Sequence, residues 1–354
     1  MARILVYATQ FLNSGGIESH IFEFCRVMTS NGHKLDMIVP KCRLDESRKK
    51  KLQPYLNTCY FTDSKNNFFL FLWLLLKSLQ LGRIKYDTVY TNGQGDTILW
   101  VSRLFRHKKW VHHHHTSGDD HDLAMWPKSY YQSVMTCDTL IVCSELILKR
   151  LLNKINRSIT CIPVFSRKID IATKPGNTSE PRVRFGYFGR LIPEKGIDFI
   201  CRLSNDASCQ HISFHVWGTG SEEIINRFRD YPNLNYHGAF NDKAELQEIV
   251  SGLDGYLLLS THHEGLPVSL LEVMSAGLPW LATDKGGIHE LFVDQLSTRI
   301  IHATSSYEEI KAAVLKFADD CRSGIIDTKA LMLKYEQNYA ASTVFRKWNL
   351  LMSY

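Results

Sequence analysis

The chain has 354 residues, of which 44% are hydrophobic and 22% charged, and a formal net charge of +6. That length strains a single core and predicts two domains, and the ordinary composition excludes a disordered or fibrous chain. The modest positive charge suits an anionic substrate or an anionic membrane surface and is too small to argue for nucleic acid.

Residues 4–9, ILVYAT, read as an apolar strand. The opening MARILVYATQFL lacks a separate basic region, apolar core and cleavage site, so it is taken as that strand and not as a signal peptide. Asn13-Ser14-Gly15-Gly16 then opens an amphipathic helix carrying Ile21, Phe22, Phe24, Cys25, Val27 and Met28, which ends at Asn31-Gly32-His33 before a strand at Leu35–Val39. In this βαβ unit Gly15 and Gly16 would let the backbone approach a phosphate beside free helix N–H groups. Without G-x-G-x-x-G there is no dinucleotide fingerprint, and a Gly-Gly pair alone is most often just a turn. Phe68 to Leu81, FFLFLWLLLKSLQL, is too short to span a membrane and is interrupted by Lys77, which predicts a buried helix. The basic run Arg48-Lys49-Lys50-Lys51 upstream is either a solvated turn or, with that helix, a seat on an anionic leaflet.

A strand and turn follow over Tyr86–Gly93, a helix over Gly95–Phe105, and a strand over Trp110–His114. Four consecutive histidines, His112 to His115, invite a metal hypothesis, with Asp119, Asp120, His121 and Asp122 as further ligands. Alternate side chains of a strand point to opposite faces, so at most two of the four share one, and no metal is expected. Leu140–Glu145 reads as a strand and helix start with Ser144 as N-cap, and Ile159–Val164 as the last strand of the first half. The polar stretch 166–181, with Pro175, Gly176 and Pro181, reads as a domain linker. Nine cysteines, none in a C-x-x-C pair, read as free thiols in a reducing compartment.

The second half restarts with a strand at Val183–Phe188 and a turn, Gly189-Arg190-Leu191-Ile192-Pro193-Glu194-Lys195-Gly196, before a helix at Ile197. Arg190 and Lys195 in that turn suit a diphosphate, one by bidentate grip and the other by charge; the local alternative is an ion pair between Lys195 and the adjacent Glu194. Phe214–Gly220 is a strand with a Gly-x-Gly turn, Asn235–Gly238 another strand, and Ala244–Ser251 a short helix. Then comes the densest stretch. A strand at Gly255–Leu259 leads through a polar loop to Glu264-Gly265-Leu266-Pro267, and a helix begins with apolar residues at Val268, Leu270, Leu271, Val273 and Met274. Gly277 and Pro279 stop it, Trp280–Thr283 is a second strand, and Gly286-Gly287 opens a new helix at Ile288. A helix whose N-terminus faces the ends of parallel strands favours an anionic ligand. Glu264 and Glu272 lie about two turns apart, one at the helix mouth and one on the helix, and their oxygens accept bonds from hydroxyls of a polyhydroxylated ligand. A bare pair of this kind would more often be two solvated glutamates. Helices close the chain over Tyr307–Phe317, Leu331–Tyr339 and Ser342–Tyr354.

Ser260, Glu264, Gly265, Pro267, Ser269, Glu272, Ala276, Gly277, Pro279, Gly286, Gly287 and Glu290 together resemble the E-x7-E signature of family-4 glycosyltransferases, which are retaining enzymes of the GT-B fold. The G-R-L-x-x-E-K-G run at 189–196 matches the same family, and the resemblance covers nearly the whole chain, most strongly over 183–291. It implies an α/β GT-B fold, two Rossmann-like domains with parallel sheets facing across a cleft. Residues 1–165 would form the acceptor side, 166–181 the linker, 182–335 the donor side, and 336–354 a helix packing back on the first domain. It further implies a nucleotide-sugar donor, with Glu264 near the sugar hydroxyls, Glu272 on the ribose, and Arg190 and Lys195 on the diphosphate. Gly15 and Gly16 would border that diphosphate, Gly218 the base, and Gly265, Leu266, Pro267 and Val268 the donor along the helix start. His115, before Thr116, would touch the donor sugar, with His113 on the same face as runner-up; Arg190, Lys195, Glu264 and His115 form the implied catalytic group. The acceptor would be a saccharide or lipid-linked saccharide in surface-polysaccharide or glycolipid synthesis. The enzyme would be cytoplasmic or peripheral on the inner membrane face, and would need no cofactor or metal. The family carries Asn and Gly after the Ile-Pro of the last first-half strand; Val164-Phe165 stand there instead. The rival readings are a nucleotide-sugar epimerase, a phosphorylase, whose cofactor lysine motif is missing, and an inactive sugar-nucleotide-binding module.

Overall fold

The computed structural model describes residues 1–13, 15–171 and 182–352. Ser14 of the glycine turn and residues 172–181 of the expected linker lie outside the described residues. Two compact units are formed, Met1–Phe165 with Val344–Tyr354, and Ser166–Thr343.

The first unit runs β1 (Arg3–Ala8), α1 (Gly16–Ser30), β2 (Lys34–Val39), α2 (Glu46–Leu52), β3 (Thr58–Phe61), α3 (Asn67–Gln80), β4 (Tyr86–Asn92), α4 (Thr97–Leu104), β5 (His107–His114), α5 (Asp120–Ala124), α6 (Lys128–Thr136), β6 (Thr139–Val142), α7 (Glu145–Leu152) and β7 (Ile159–Cys161). Its strands are all parallel, in the order β3-β2-β1-β4-β5-β6-β7. Continuous apolar runs such as Ile4–Tyr7 are buried because a parallel sheet is covered by helices on both faces. Chain order reverses between β1 and β4, and the crevice beyond the strand ends at such a switch is where α/β sheets bind ligands. The Gly15 turn and Asn92 lie there. Ser144 caps α7 by accepting from the Ile147 N–H.

The second unit comprises β8 (Val183–Leu191), α8 (Ile197–Asn205), β9 (Ile212–Gly220), α9 (Glu222–Arg227), β10 (Leu234–Tyr236), α10 (Lys243–Ser251), β11 (Gly255–Leu258), α11 (Val268–Ser275), β12 (Trp280–Thr283), β13 (Thr298–Ile301), α12 (Tyr307–Ser323) and α13 (Thr328–Asn338). Six parallel strands are ordered β10-β9-β8-β11-β12-β13, with the switch between β8 and β11. The last helix, α14 (Ala341–Met352), carries the chain back into the first unit. There Trp348 is buried with its ring 5.0 Å from Phe24 and 4.9 Å from Tyr90, and Lys109 donates to the Leu351 carbonyl at 2.6 Å.

Several local expectations change. The helix at 68–81, expected to be buried, is α3, and it buries only Leu70, Leu74 and Ser78. The basic run, read either as a solvated turn or as a membrane seat, forms α2, capped by Asp45, and an unforeseen edge strand β3 follows. β8 does not stop at Phe188, because pairing with β9 continues through Arg190 and Leu191. The helix expected at Ile288 is a short 3-10 helix, Gly287–Leu291. Residues 166–171, expected as linker, pack on the second unit with Ser166 and Ile169 buried. Residues 336–343, expected with the returning helix, also belong to that unit.

Candidate active site

In the second unit the switch between β8 and β11 gathers the charged residues singled out in the sequence. Arg190 ends up on β8, opposite Thr219 of β9, and not in the turn. Its side chain is exposed and hydrogen-bonds to no described residue, while its carbonyl accepts from the Tyr187 hydroxyl at 2.7 Å. Lys195 closes a 3-10 turn, Pro193–Lys195, followed by Gly196 with φ 73°. A Cβ at Gly196 would lie 1.9 Å from the Leu259 carbonyl oxygen, so only glycine lets this turn reach the end of β11.

Lys195 does not pair with Glu194. Its ammonium donates to both oxygens of Glu264, at 2.6 and 2.7 Å, across 69 residues of sequence. The Ser260 hydroxyl donates to the same carboxylate at 2.5 Å, and His262 Nε2 lies 4.0 Å away. Burial pushes the Glu264 carboxyl up, but Lys195, His262 and Ser260 outweigh it and hold the group below its ordinary value. Its backbone is fixed as firmly. Glu264 bridges Gly286, whose φ is 70° and whose Cβ would meet the Glu264 carbonyl at 1.9 Å, and Gly287 donates to that carbonyl at 3.0 Å.

Pro267 is the N-cap of α11, and no side chain caps the helix. The first-turn N–H groups and the helix dipole therefore favour an anion at this mouth, beside Leu266 and Val268, both buried, and half-buried Gly265. Further along α11 is Glu272, 2% exposed. One of its oxygens accepts from Arg167 Nε at 2.6 Å. That guanidinium also lies 5.5 Å from the Phe240 ring, and the next turn is tied down by the Ile169 N–H, which donates to Ser275 Oγ at 2.9 Å. Arg167 was missed because it sits in a stretch that reads as linker, 105 residues before its partner. Gly218 lies inside β9, where the Cβ of any other residue would come 1.8 Å from the Gly189 carbonyl. The outward ring of Trp217 stacks 4.4 Å from His237.

In the first unit, Gly15 caps α1 and Gly16 begins it; the Glu18 carboxylate accepts from the Leu12 N–H at 3.2 Å within the same turn. The histidine run divides as alternation predicts. His112 and His114 face Tyr130, at 3.0 and 2.8 Å from its hydroxyl. His113 and His115 face the other side, where His20 of α1, unnoticed in the sequence, joins them. The ligand nitrogens of these three lie within 4.8 Å of one another. Phe165 N–H donates to His20 Nδ1 at 2.8 Å, which leaves the proton on Nε2 to be donated to Tyr90; the Tyr90 hydroxyl then donates to His113 Nδ1 at 2.9 Å. His113 Nε2 and Asn92 Nδ2 find no partner among the described residues, and His115 Nε2 lies 2.9 Å from Asn92 Oδ1. Burial lowers His20 to about 3 and holds His113 and His115 well below their ordinary value, so this cluster is neutral at pH 7. Asp119 and Asp122 are spent locally: Asp119 caps α5, and Asp122 accepts from Thr116 at 2.7 Å and from the Gly118 N–H at 2.8 Å.

Residues 182–320 match the family described as Glycosyl transferases group 1, and residues 14–165 match Glycosyltransferase Family 4. Two curated relatives are UDP-N-acetylglucosamine--peptide N-acetylglucosaminyltransferase GtfA subunits. The one from Streptococcus gordonii is 30% identical over 57% of this chain and 42% of the relative. The one from Streptococcus pneumoniae is 25% identical over 78% of this chain and 58% of the relative. The chain thus spans about half the length of these curated relatives. Among solved structures, Anabaena HepE in complex with UDP-glucose superposes with a TM-score of 0.76 at 15% identity, covering all of both chains. Likeness at that identity speaks to the fold alone, the α/β GT-B fold with a parallel sheet in each unit.

Proposed function

This chain belongs to the group 1, family-4 glycosyltransferases, and from that premise we propose that it moves a sugar, with retention of configuration, from a nucleotide-sugar donor to a saccharide or lipid-linked saccharide. The observation that carries this reading is α11: its uncapped N-terminus lies at the switch of the second sheet, with Glu264 at the mouth and Glu272 up the helix. A diphosphate at that mouth meets the helix N–H groups, Lys195 and Arg190, and charge developing on the leaving phosphate is stabilised by the same cations. Glu272 accepts from the ribose hydroxyls. Arg167 donates to one of its oxygens and so orients the carboxylate, which as a group offers about four acceptor sites. Glu264 acts on the sugar. No side chain is assigned as nucleophile or base; the departing phosphate takes the acceptor's proton on the same face. Gly218 borders the donor, and no metal takes part. Surface-polysaccharide or glycolipid synthesis, on the inner face of a membrane, is the proposed setting.

The test separates the two glutamates. UDP-sugars lead the donor panel, because the two curated relatives are named for one and HepE holds UDP-glucose. Glu272→Gln should weaken binding of the free nucleotide diphosphate in calorimetry. Glu264→Gln should leave that affinity unchanged and lower turnover with intact donor. Equal loss of nucleotide affinity in both variants would overturn this placement of the donor.

A further inference from the structure

Peripheral attachment belongs to the reading above; its surface is set by a separate observation. A helix of a water-soluble domain turns its polar face outward, and α3 does the reverse. It buries one row, Leu70, Leu74 and Ser78, and presents Phe68, Phe69, Phe71, Leu72, Leu76 and Leu79 to solvent, Phe68 at 65% and Leu79 at 70% exposure. At about 100° per residue, Phe68, Phe69, Leu72, Leu76 and Leu79 share one arc of the helix. The three phenylalanines alone leave roughly 300 Å² of apolar surface exposed, a patch that in a monomer marks an interaction site. With its 14 residues α3 is about 21 Å long, and no helix among the described residues is long and apolar enough to cross a membrane. Such a helix lies in the plane of an interface.

The charge around it identifies the partner. Neither α3 nor α4, which packs on it through Phe71 and Trp100, contains an acidic residue. Lys65 precedes the helix, Arg83 and Lys85 follow it, and Arg103 lies on α4; all four are exposed and form no ion pair among the described residues. The two acids nearest in sequence are spent, Asp63 on Arg43 and Asp87 on Lys108. An apolar centre with an unneutralised cationic rim complements anionic headgroups above acyl chains. We propose that α3, with Lys65, Arg83, Lys85 and Arg103, docks this enzyme on an anionic lipid bilayer. The run Arg48–Lys51 on α2 is not part of that face. The crossovers β2 to β3 and β3 to β4 run in opposite directions along the sheet, so right-handed connections put α2 and α3 on opposite sides of it. Tyr55, just after α2, accordingly packs on Phe22 of α1.

Co-sedimentation of the full chain with phosphatidylcholine vesicles, with and without phosphatidylglycerol, tests this. Binding should require the anionic lipid and weaken with salt. Phe69→Ser with Leu76→Ser should cut the bound fraction at least ~tenfold, and Lys65→Glu with Arg83→Glu should abolish the preference for anionic lipid. Lys50→Glu with Lys51→Glu should change nothing. Each variant should keep its thermal shift with nucleotide; a chain that binds vesicles but no nucleotide would sink the donor reading and still support this one. The proposal is overturned if anionic vesicles are not bound, if the Phe69/Leu76 variant binds like the parent, or if the α2 variant is the one that fails. It is equally overturned if, without lipid, sedimentation velocity shows a dimer that the Phe69/Leu76 variant abolishes, since the face then belongs to a second copy.

Discussion

Replacing Lys195 by alanine removes the ammonium from a carboxylate with little access to water. The two side chains are 16% and 8% exposed, and Nζ reaches both Glu264 oxygens within 2.7 Å. After the change Glu264 retains the Ser260 hydroxyl, and His262 at 4.0 Å is too far to donate a hydrogen bond. Stripping one partner from a buried pair costs about 3–5 kcal/mol, and the surviving Ser260 bond argues for the lower end, about 3 kcal/mol. For a unit of this size that is a fall of roughly 6–12 °C in Tm. The pH dependence carries the sign. In the parent protein the Glu264 carboxyl lies below its ordinary value, so its contribution to stability is present at neutral pH and lost as pH falls through the folded value. In the variant burial is opposed only by Ser260 and His262 and pushes the carboxyl up, so the deficit is greatest at neutral pH and shrinks as acid protonates the group. Thermal unfolding of the parent, Lys195→Ala, and Lys195→Ala with Glu264→Gln, at pH 7 and at about pH 5, tests both points. The neutral glutamine should restore most of the loss at pH 7. A Lys195→Ala protein as stable as the parent at pH 7, or a double variant weaker than the single, would refute the reasoning.

Arg190→Ala should be the cleaner catalytic probe. Its exposed side chain supports no described neighbour, so stability should stay within ~0.5 kcal/mol while turnover falls about ten- to hundredfold, the worth of one charged contact to a diphosphate. Near-parental turnover would remove Arg190 from the catalytic group. Transfer should also persist in excess chelator; activity lost to chelator and restored by one divalent ion would point to His20, His113 and His115.

Wherever the signal was local, the sequence carried it. Apolar runs marked β11 and β12, a hydroxyl before a periodic run marked the Ser144 cap, and glycines marked the turns at 196 and 286. Alternation along β5 alone divided the four histidines between two faces. The E-x7-E spacing placed Glu264 at a helix mouth and Glu272 within the helix before any coordinates were needed. β3 escaped notice because an edge strand with four half-buried residues needs no continuous apolar run.

Which charges meet was decided only in three dimensions. Lys195 bypasses the adjacent Glu194 for Glu264, Arg167 reaches Glu272, and His20 joins His113, each across tens of residues. The order of parallel strands brings the turn after β8 to the loop after β11, and α1 after β1 to β5 beyond β4, and the pattern within one strand does not encode its neighbours. The same holds for α3. Its composition demands burial, but a helix packing on its sheet through one row, Leu70, Leu74 and Ser78, turns every other apolar residue outward or half outward. Hydrophobicity is a property of the sequence, whereas exposure depends on what the rest of the chain leaves uncovered.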